Sequence, residues 1–133
     1  CFQLLYYPGT DKSCSFPSHR ELGQDYRLTS DLIAYFMKHY LGDDVDNRDP
    51  RHSPLYAENL GGLPPVLLVT AGYDPLKDEG QAYVEKLQAA GTEARLSHYP
   101  GMLHGFINMP GLLDAAHEAL AEGGQALKTA FRS

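Results

Sequence analysis

Seven consecutive residues, Val66 to Gly72 (VLLVTAG), carry no charge and show no alternation of polar with apolar side chains. A strand with one wet face alternates, whereas one covered on both faces reads as a continuous apolar run. This stretch therefore predicts a central strand with helices packed on either side. The flanking sequence supplies matching pieces. CFQLLYYP predicts a buried strand from about Phe2 to Tyr7, stopped by Pro8 and Gly9, and EARLSHYP predicts a third strand near residues 94–99. Between and after them lie helical patterns. LTSDLIAYFMKHYLG has Thr29 or Ser30 as N-cap, Asp31 in the first turn and Gly42 as the stop, and a second helix runs from about Asp78 to Ala90, ending at Gly91. A closing helix, GLLDAAHEALAEGGQALKTAF, is weakened by an internal Gly-Gly pair. The segments GTDKSCSFPSHRELGQDY and DDVDNRDPRHSPLYAENLGGLPP are rich in turn formers and read as loops. Strands alternating with helices give an α/β fold of about three parallel strands, near 2–7, 66–72 and 94–99, with crossover helices.

Composition excludes several function classes. With a net charge of −6 and lysines and arginines scattered singly, the chain offers no basic stripe for nucleic acid or an anionic surface. No apolar run approaches the roughly 20 residues of a membrane helix, and the first residues do not read as a signal peptide. At 133 residues the chain is expected to form one domain or part of one. It opens on Cys1, inside an apolar run, as a chain that begins partway through a domain would. Cys1 and Cys14 are too few for a disulfide framework and lack zinc-ligand spacing, so no metal is expected, and two free thiols suit a cytoplasmic location.

Two residues stand where chemistry collects in parallel sheets, just past the carboxyl ends of strands. Asp74 follows the central strand in AGYDPLKDEG, and His104 follows the third in YPGMLHGF. A carboxylate on one imidazole nitrogen fixes the tautomer and favours the cation formed when the other nitrogen takes a proton. Such a pair is half of a relay that activates a nucleophile, and the order acid then histidine is that of α/β-hydrolases. Each residue also has an ordinary reading, since Asp-Pro is common in turns and His-Gly in loops. The remaining histidines, His19, His39, His52, His98 and His117, read as surface or packing residues. Asp78 and Glu79 read as acids favoured in a first helical turn by the helix dipole.

The segments DPRHSPLYAENLGGLPPVLLVTAGYDPLKDEGQAYVEKLQAAG and YPGMLHGF closely resemble the C-terminal part of hormone-sensitive-lipase-like serine esterases. The opening QLLYYP and the helix YRLTSDLIAYFMKHYL fit the same family, so the resemblance covers nearly the whole chain. It implies an α/β-hydrolase acting on small carboxylic esters without a cofactor, with Asp74 as catalytic acid and His104 as catalytic base. Gly72, Tyr73, Met102, Leu103, Phe106 and Ile107 flank the pair and are candidates for the substrate pocket, with loop and core packing as the alternative.

Departures from the family pattern are equally specific. Its nucleophile sits in a Gly-Asp-Ser-Ala-Gly-Gly type elbow and its oxyanion donors in a His-Gly-Gly-Gly type loop, and neither motif occurs here. Ser13, Ser15, Ser18, Ser30, Ser53, Ser97 and Ser133 all lack the Gly-x-Ser-x-Gly setting. The resemblance places the chain from the sixth strand of an eight-stranded sheet onward, with nucleophile and oxyanion hole in a missing N-terminal part of the same domain. The strand near Phe2–Tyr7 then has an unpaired apolar edge, expected to join that part or to self-associate. Two other functions remain open: a prolyl-oligopeptidase-like serine peptidase, and a non-catalytic half-fold that binds or supports a partner.

Overall fold

The structure, a computed structural model, describes residues 1–43 and 45–132. Three parallel strands, β1 (Gln3–Tyr6), β2 (Val66–Tyr73) and β3 (Ala94–Leu103), form one sheet in the order β1-β2-β3. Gln3 stands opposite Val66, and Val66 in turn stands opposite Ala94.

Both faces of β2 are covered, as its unbroken apolar run requires. Val66 and Leu68 pack with Leu60, Tyr83, Val84 and Leu87, the last three from α3 (Lys77–Ala89). Leu67, Val69 and Ala71 pack on the opposite side with Phe106 and with Ala116 and Ala119 of α4 (Asp114–Ala130). Glycines let both helices come close. A Cβ on Gly80 of α3 would lie 3.0 Å from the Thr70 methyl, and one on Gly123 of α4 would lie 2.2 Å from the Tyr6 hydroxyl. The Gly-Gly pair thus sits inside a continuous helix, where close packing on β1 uses the missing side chain.

Two shorter helices belong to the connection after β1. The helix α2 (Ser30–Leu41) is capped by Thr29, whose hydroxyl accepts from the Leu32 amide at 3.2 Å, and ends at Gly42 with φ 83°. It buries no residue fully, and Tyr35, Phe36 and Tyr40 are exposed. The other, α1 (Pro17–Glu21), lies in a segment the sequence reads as loop. Polar bonds hold it: the Ser18 hydroxyl donates to the Pro75 carbonyl at 2.6 Å, and the Ser18 amide donates to Asp78 at 3.0 Å.

The third strand corrects the sequence reading, which ended it near residue 99. It continues through Pro100 to Leu103, with an irregularity in pairing between Ala71 and Tyr73, so that Tyr73 meets Leu103. Proline survives there because β3 is an edge of this sheet, where a missing N–H breaks no ladder on the outer side. Among the described residues, no helix is long and apolar enough to cross a membrane.

Candidate active site

The extended β3 delivers His104 to Asp74. The His104 Nδ1 and Asp74 Oδ2 lie 2.8 Å apart, within hydrogen-bond distance. Asp74 is fully buried, directly after β2, and its other oxygen accepts from the Leu76 amide at 2.9 Å. That bond fixes the carboxylate in the turn leading into α3. The His104 side chain is 25% exposed, and its Nε2 makes no hydrogen bond among the described residues. The ring is further held by Tyr7, whose ring centroid lies 4.4 Å away. Tyr7 adopts a positive φ of 37° at the end of β1, a left-handed conformation costly for an aromatic residue.

An apolar cavity of about 350 Å³ adjoins His104. Its walls come from Leu28, from Ile33, Phe36, Met37 and Tyr40 on or beside α2, and from Leu76. None of the six residues expected from the sequence lines it. Phe106 is fully buried in the core, with Met102 and Ile107 packed against the same cluster. Tyr73 is 43% exposed and packs on Tyr26 at 5.1 Å, and Leu103 is exposed at the strand end. Gly72 contributes close approach: a Cβ there would fall 1.9 Å from the Pro100 carbonyl oxygen. Sequence neighbours of the pair are thus its scaffold, while the cavity wall comes from a helix more than sixty residues upstream of His104.

No described serine is placed to partner His104. The hydroxyls of Ser13 and Ser15 donate to Asp11, Ser18 to Pro75, Ser30 to His19, Ser53 to Asn47 and Ser97 to Glu122. Ser133 lies outside the described residues. Among the described residues no group of three or more His, Cys, Asp or Glu side chains could hold a metal ion.

Glu79 differs from its reading as a helix-end acid. It is fully buried, and its carboxylate accepts from the amides of Thr10 and Asp11 and pairs with His19 Nε2 at 2.6 Å. It therefore ties the start of α3 to the loop after β1. Sequence reasoning missed His19 because a histidine in a polar connection carries no signal of burial.

This architecture has counterparts of known type. The chain belongs to the α/β-hydrolase fold family, whose model matches residues 1–108. It is 46% identical to the carboxylic ester hydrolase LipN of Mycobacterium tuberculosis over 80% of this chain and 29% of that protein. It is 40% identical to the carboxylesterase NlhH of the same species over 99% of this chain and 42% of the relative. Among solved structures it matches an α/β-hydrolase enzyme from the metagenome of Lake Arreo, Spain, with a TM-score of 0.93 at 39% identity, covering 99% of this chain and 42% of that one. A hyperthermophilic esterase from Pyrobaculum calidifontis gives a TM-score of 0.92 at 35% identity, covering 99% and 44%. The chain thus spans less than half the length of these relatives. The resemblance to esterases read from the sequence is borne out.

Proposed function

We propose that these residues supply the acid and base of an esterase that hydrolyses small carboxylic esters through a serine acyl-enzyme. In this reading Asp74 orients His104, and His104 Nε2 takes the proton of a serine hydroxyl as that oxygen attacks the ester carbonyl. His104 then gives the proton to the leaving alcohol, and water repeats the cycle on the acyl group. The observation that carries the reading is the 2.8 Å contact between His104 Nδ1 and a fully buried Asp74, with Nε2 unpaired among the described residues beside an apolar cavity. The names of the relatives, including an ethyl acetate hydrolase of Pseudomonas putida at 36% identity, favour esters over peptides.

We further propose that the nucleophile and the oxyanion donors come from residues outside this chain, in an N-terminal part of the same domain. In support, the chain has no serine elbow, and its relatives are more than twice as long. The outer edge of β1 is the place for that part to pair, and self-association through Phe2–Tyr7 is its alternative use. Two free, exposed cysteines fit a reducing, cytoplasmic setting. Leu28, Ile33, Phe36, Met37, Tyr40 and Leu76 form the acyl or alcohol pocket.

The test is hydrolysis of p-nitrophenyl acetate by the intact protein and by its His104→Ala variant. Turnover lost in the variant while the fold persists supports the reading. Turnover that survives the change rejects it, and no turnover in either, with cleavage of a proline-containing peptide instead, selects the peptidase.

A further inference from the structure

A single hydrogen bond does not fix an imidazole. With His104 Nδ1 held on Asp74 Oδ2, the ring can still pivot about that contact, and each pivot carries Nε2 to a different place. A second contact, on the face of the ring, removes this freedom. Tyr7 supplies it, with its ring centroid 4.4 Å from that of His104 and the two planes 51° apart.

Tyr7 reaches the histidine from the other side of the sheet. It follows β1, whereas His104 follows β3, and β2 with Asp74 at its end lies between them. The Tyr7 amide still donates to the Val69 carbonyl at 2.7 Å, in continuation of the ladder between β1 and β2. At that same residue the chain turns, with φ 37°, into the left-handed region that aromatic residues seldom adopt, and Pro8 restricts the position further. A backbone outlier of this kind persists only where its surroundings hold it, and such outliers collect at functional sites. Here the surroundings are aromatic. The ring of Phe106, fully buried, lies 6.1 Å from that of Tyr7, and Tyr99 backs Phe106 at 5.1 Å. Tyr7 is thus fixed by the core on one side and presented to the imidazole on the other.

The phenol is not a proton carrier. Its oxygen is buried and makes no hydrogen bond of standard geometry. Burial raises its pKa above the ordinary value, and the Ile107 amide and Arg27, which act the other way, do not outweigh it. The Asp74 carboxylate adds to the rise, so the group stays neutral at physiological pH. A buried hydroxyl without a good partner adds little stability. What the position uses is the flat ring.

We infer that Tyr7 is a positioning residue for His104: its ring, held at the strained turn after β1, fixes the plane of the imidazole and so aims Nε2 at the nucleophile. The effect on rate rests on the esterase reading, whereas the ring contact does not. An aromatic face also suits the imidazolium that forms during the reaction. Tyr7 lines the cavity at His104 as well, so loss of aim has to be separated from loss of a cavity wall.

Kinetics of the intact protein separate the two. Tyr7→Leu, shown to be folded by circular dichroism, should lower kcat for p-nitrophenyl acetate about 10- to 100-fold with KM within about twofold, because a misplaced base costs rate rather than binding. Tyr7→Phe restores the ring without the hydroxyl and should bring kcat back to within about threefold of the native value. A loss confined to KM overturns the inference, as does a Tyr7→Phe variant as slow as Tyr7→Leu. The far-downfield proton resonance of the His104–Asp74 hydrogen bond is a readout that needs no turnover. It should broaden through exchange with solvent in Tyr7→Leu and stay sharp in Tyr7→Phe. A resonance equally sharp in Tyr7→Leu, or absent in the native protein, overturns the inference. If the native protein hydrolyses no ester, the esterase reading fails and this resonance decides the role of Tyr7 alone. Tyr7→Met takes the place of a Tyr7→Leu variant that does not fold. Where neither folds, cross-relaxation between the ring protons of Tyr7 and His104 in the native protein decides, and its absence overturns the inference.

Discussion

Gly72 and Pro100 meet so closely across β2 and β3 that a Cβ on Gly72 would lie 1.9 Å from the Pro100 carbonyl oxygen and 2.8 Å from its Cα. The contact falls where the pairing register changes, between Ala71 opposite Tyr99 and Tyr73 opposite Leu103. Beyond it the two strands end at Tyr73 and Leu103, and Asp74 and His104 follow directly. The close approach of these backbones thus sets the distance between the acid and the imidazole.

Gly72→Ala should therefore affect both stability and site geometry. The atoms that a methyl group would strike belong to the backbone, so no rotamer change relieves the clash. Overpacking of this kind costs about 1–3 kcal/mol, and the melting temperature of the intact protein should fall by several degrees. Ester turnover should fall further than that loss explains, because the strand shift moves His104 relative to Asp74. A melting curve and a rate like those of the native protein would show that the contact does not set the geometry.

Asp74→Asn tests the orienting role of the acid. The amide is isosteric and keeps an oxygen for the Leu76 amide, so the fold should persist. An amide neither holds the productive tautomer nor stabilises the imidazolium, and in a serine triad this change lowers kcat by about 10⁴-fold. Steady-state ester kinetics should show the loss in kcat with KM little changed. A loss confined to KM would place Asp74 in substrate binding instead.

The division between what the sequence revealed and what it hid follows from the kind of signal each residue carries. The central strand was legible because burial on both faces leaves an unbroken apolar run, and Thr29 and Gly42 bounded α2 because caps are local chemistry. Asp74 and His104 were legible as strand-end residues, since a strand ending predicts where a side chain emerges. The continuation of β3 was hidden, because Pro100 reads as a stop unless the strand is known to lie on a sheet edge. Helix α1 was hidden because side chains distant in sequence hold it, through Ser18 on Pro75 and Asp78. Glu79 carried an ambiguous signal: an acid in a first helical turn suits the dipole, and nothing local distinguishes it from a buried carboxylate bound to Thr10, Asp11 and His19. The cavity wall was beyond reach, since α2 comes against His104 only through tertiary packing.

Gly123 gives a second packing test, away from the site. A Cβ there would fall 2.2 Å from the Tyr6 hydroxyl and about as close to the Leu4 methyls as packed atoms tolerate, at 3.0 and 3.2 Å. Gly123→Ala should lower stability by about 1–3 kcal/mol despite the higher helix propensity of alanine. Adding Tyr6→Phe removes the struck oxygen, though it also removes the hydrogen bond from Tyr6 to the Ala119 carbonyl at 3.0 Å. The double variant should be more stable than the sum of the two single losses allows. Simple additivity in denaturant unfolding would mean that the clash is relieved by other shifts.

The His19–Glu79 pair makes stability depend on pH in a defined direction. In the unfolded chain the imidazole titrates near its ordinary value of 6.5, whereas in the fold its pKa is raised to about 10, the contacts with Cys14 and Glu79 outweighing the effect of burial. Between those values the folded state binds the proton that the unfolded state has released, so raising the pH favours unfolding. The stabilisation from this titration is fully present below about pH 6.5 and is lost as the pH rises through about 10. Melting temperatures of the native protein and of His19→Asn, measured from pH 6 to pH 10, should differ most at the acid end and converge at the alkaline end. A difference that stays constant across the range would mean that His19 stabilises the loop by packing alone, with no bound proton involved.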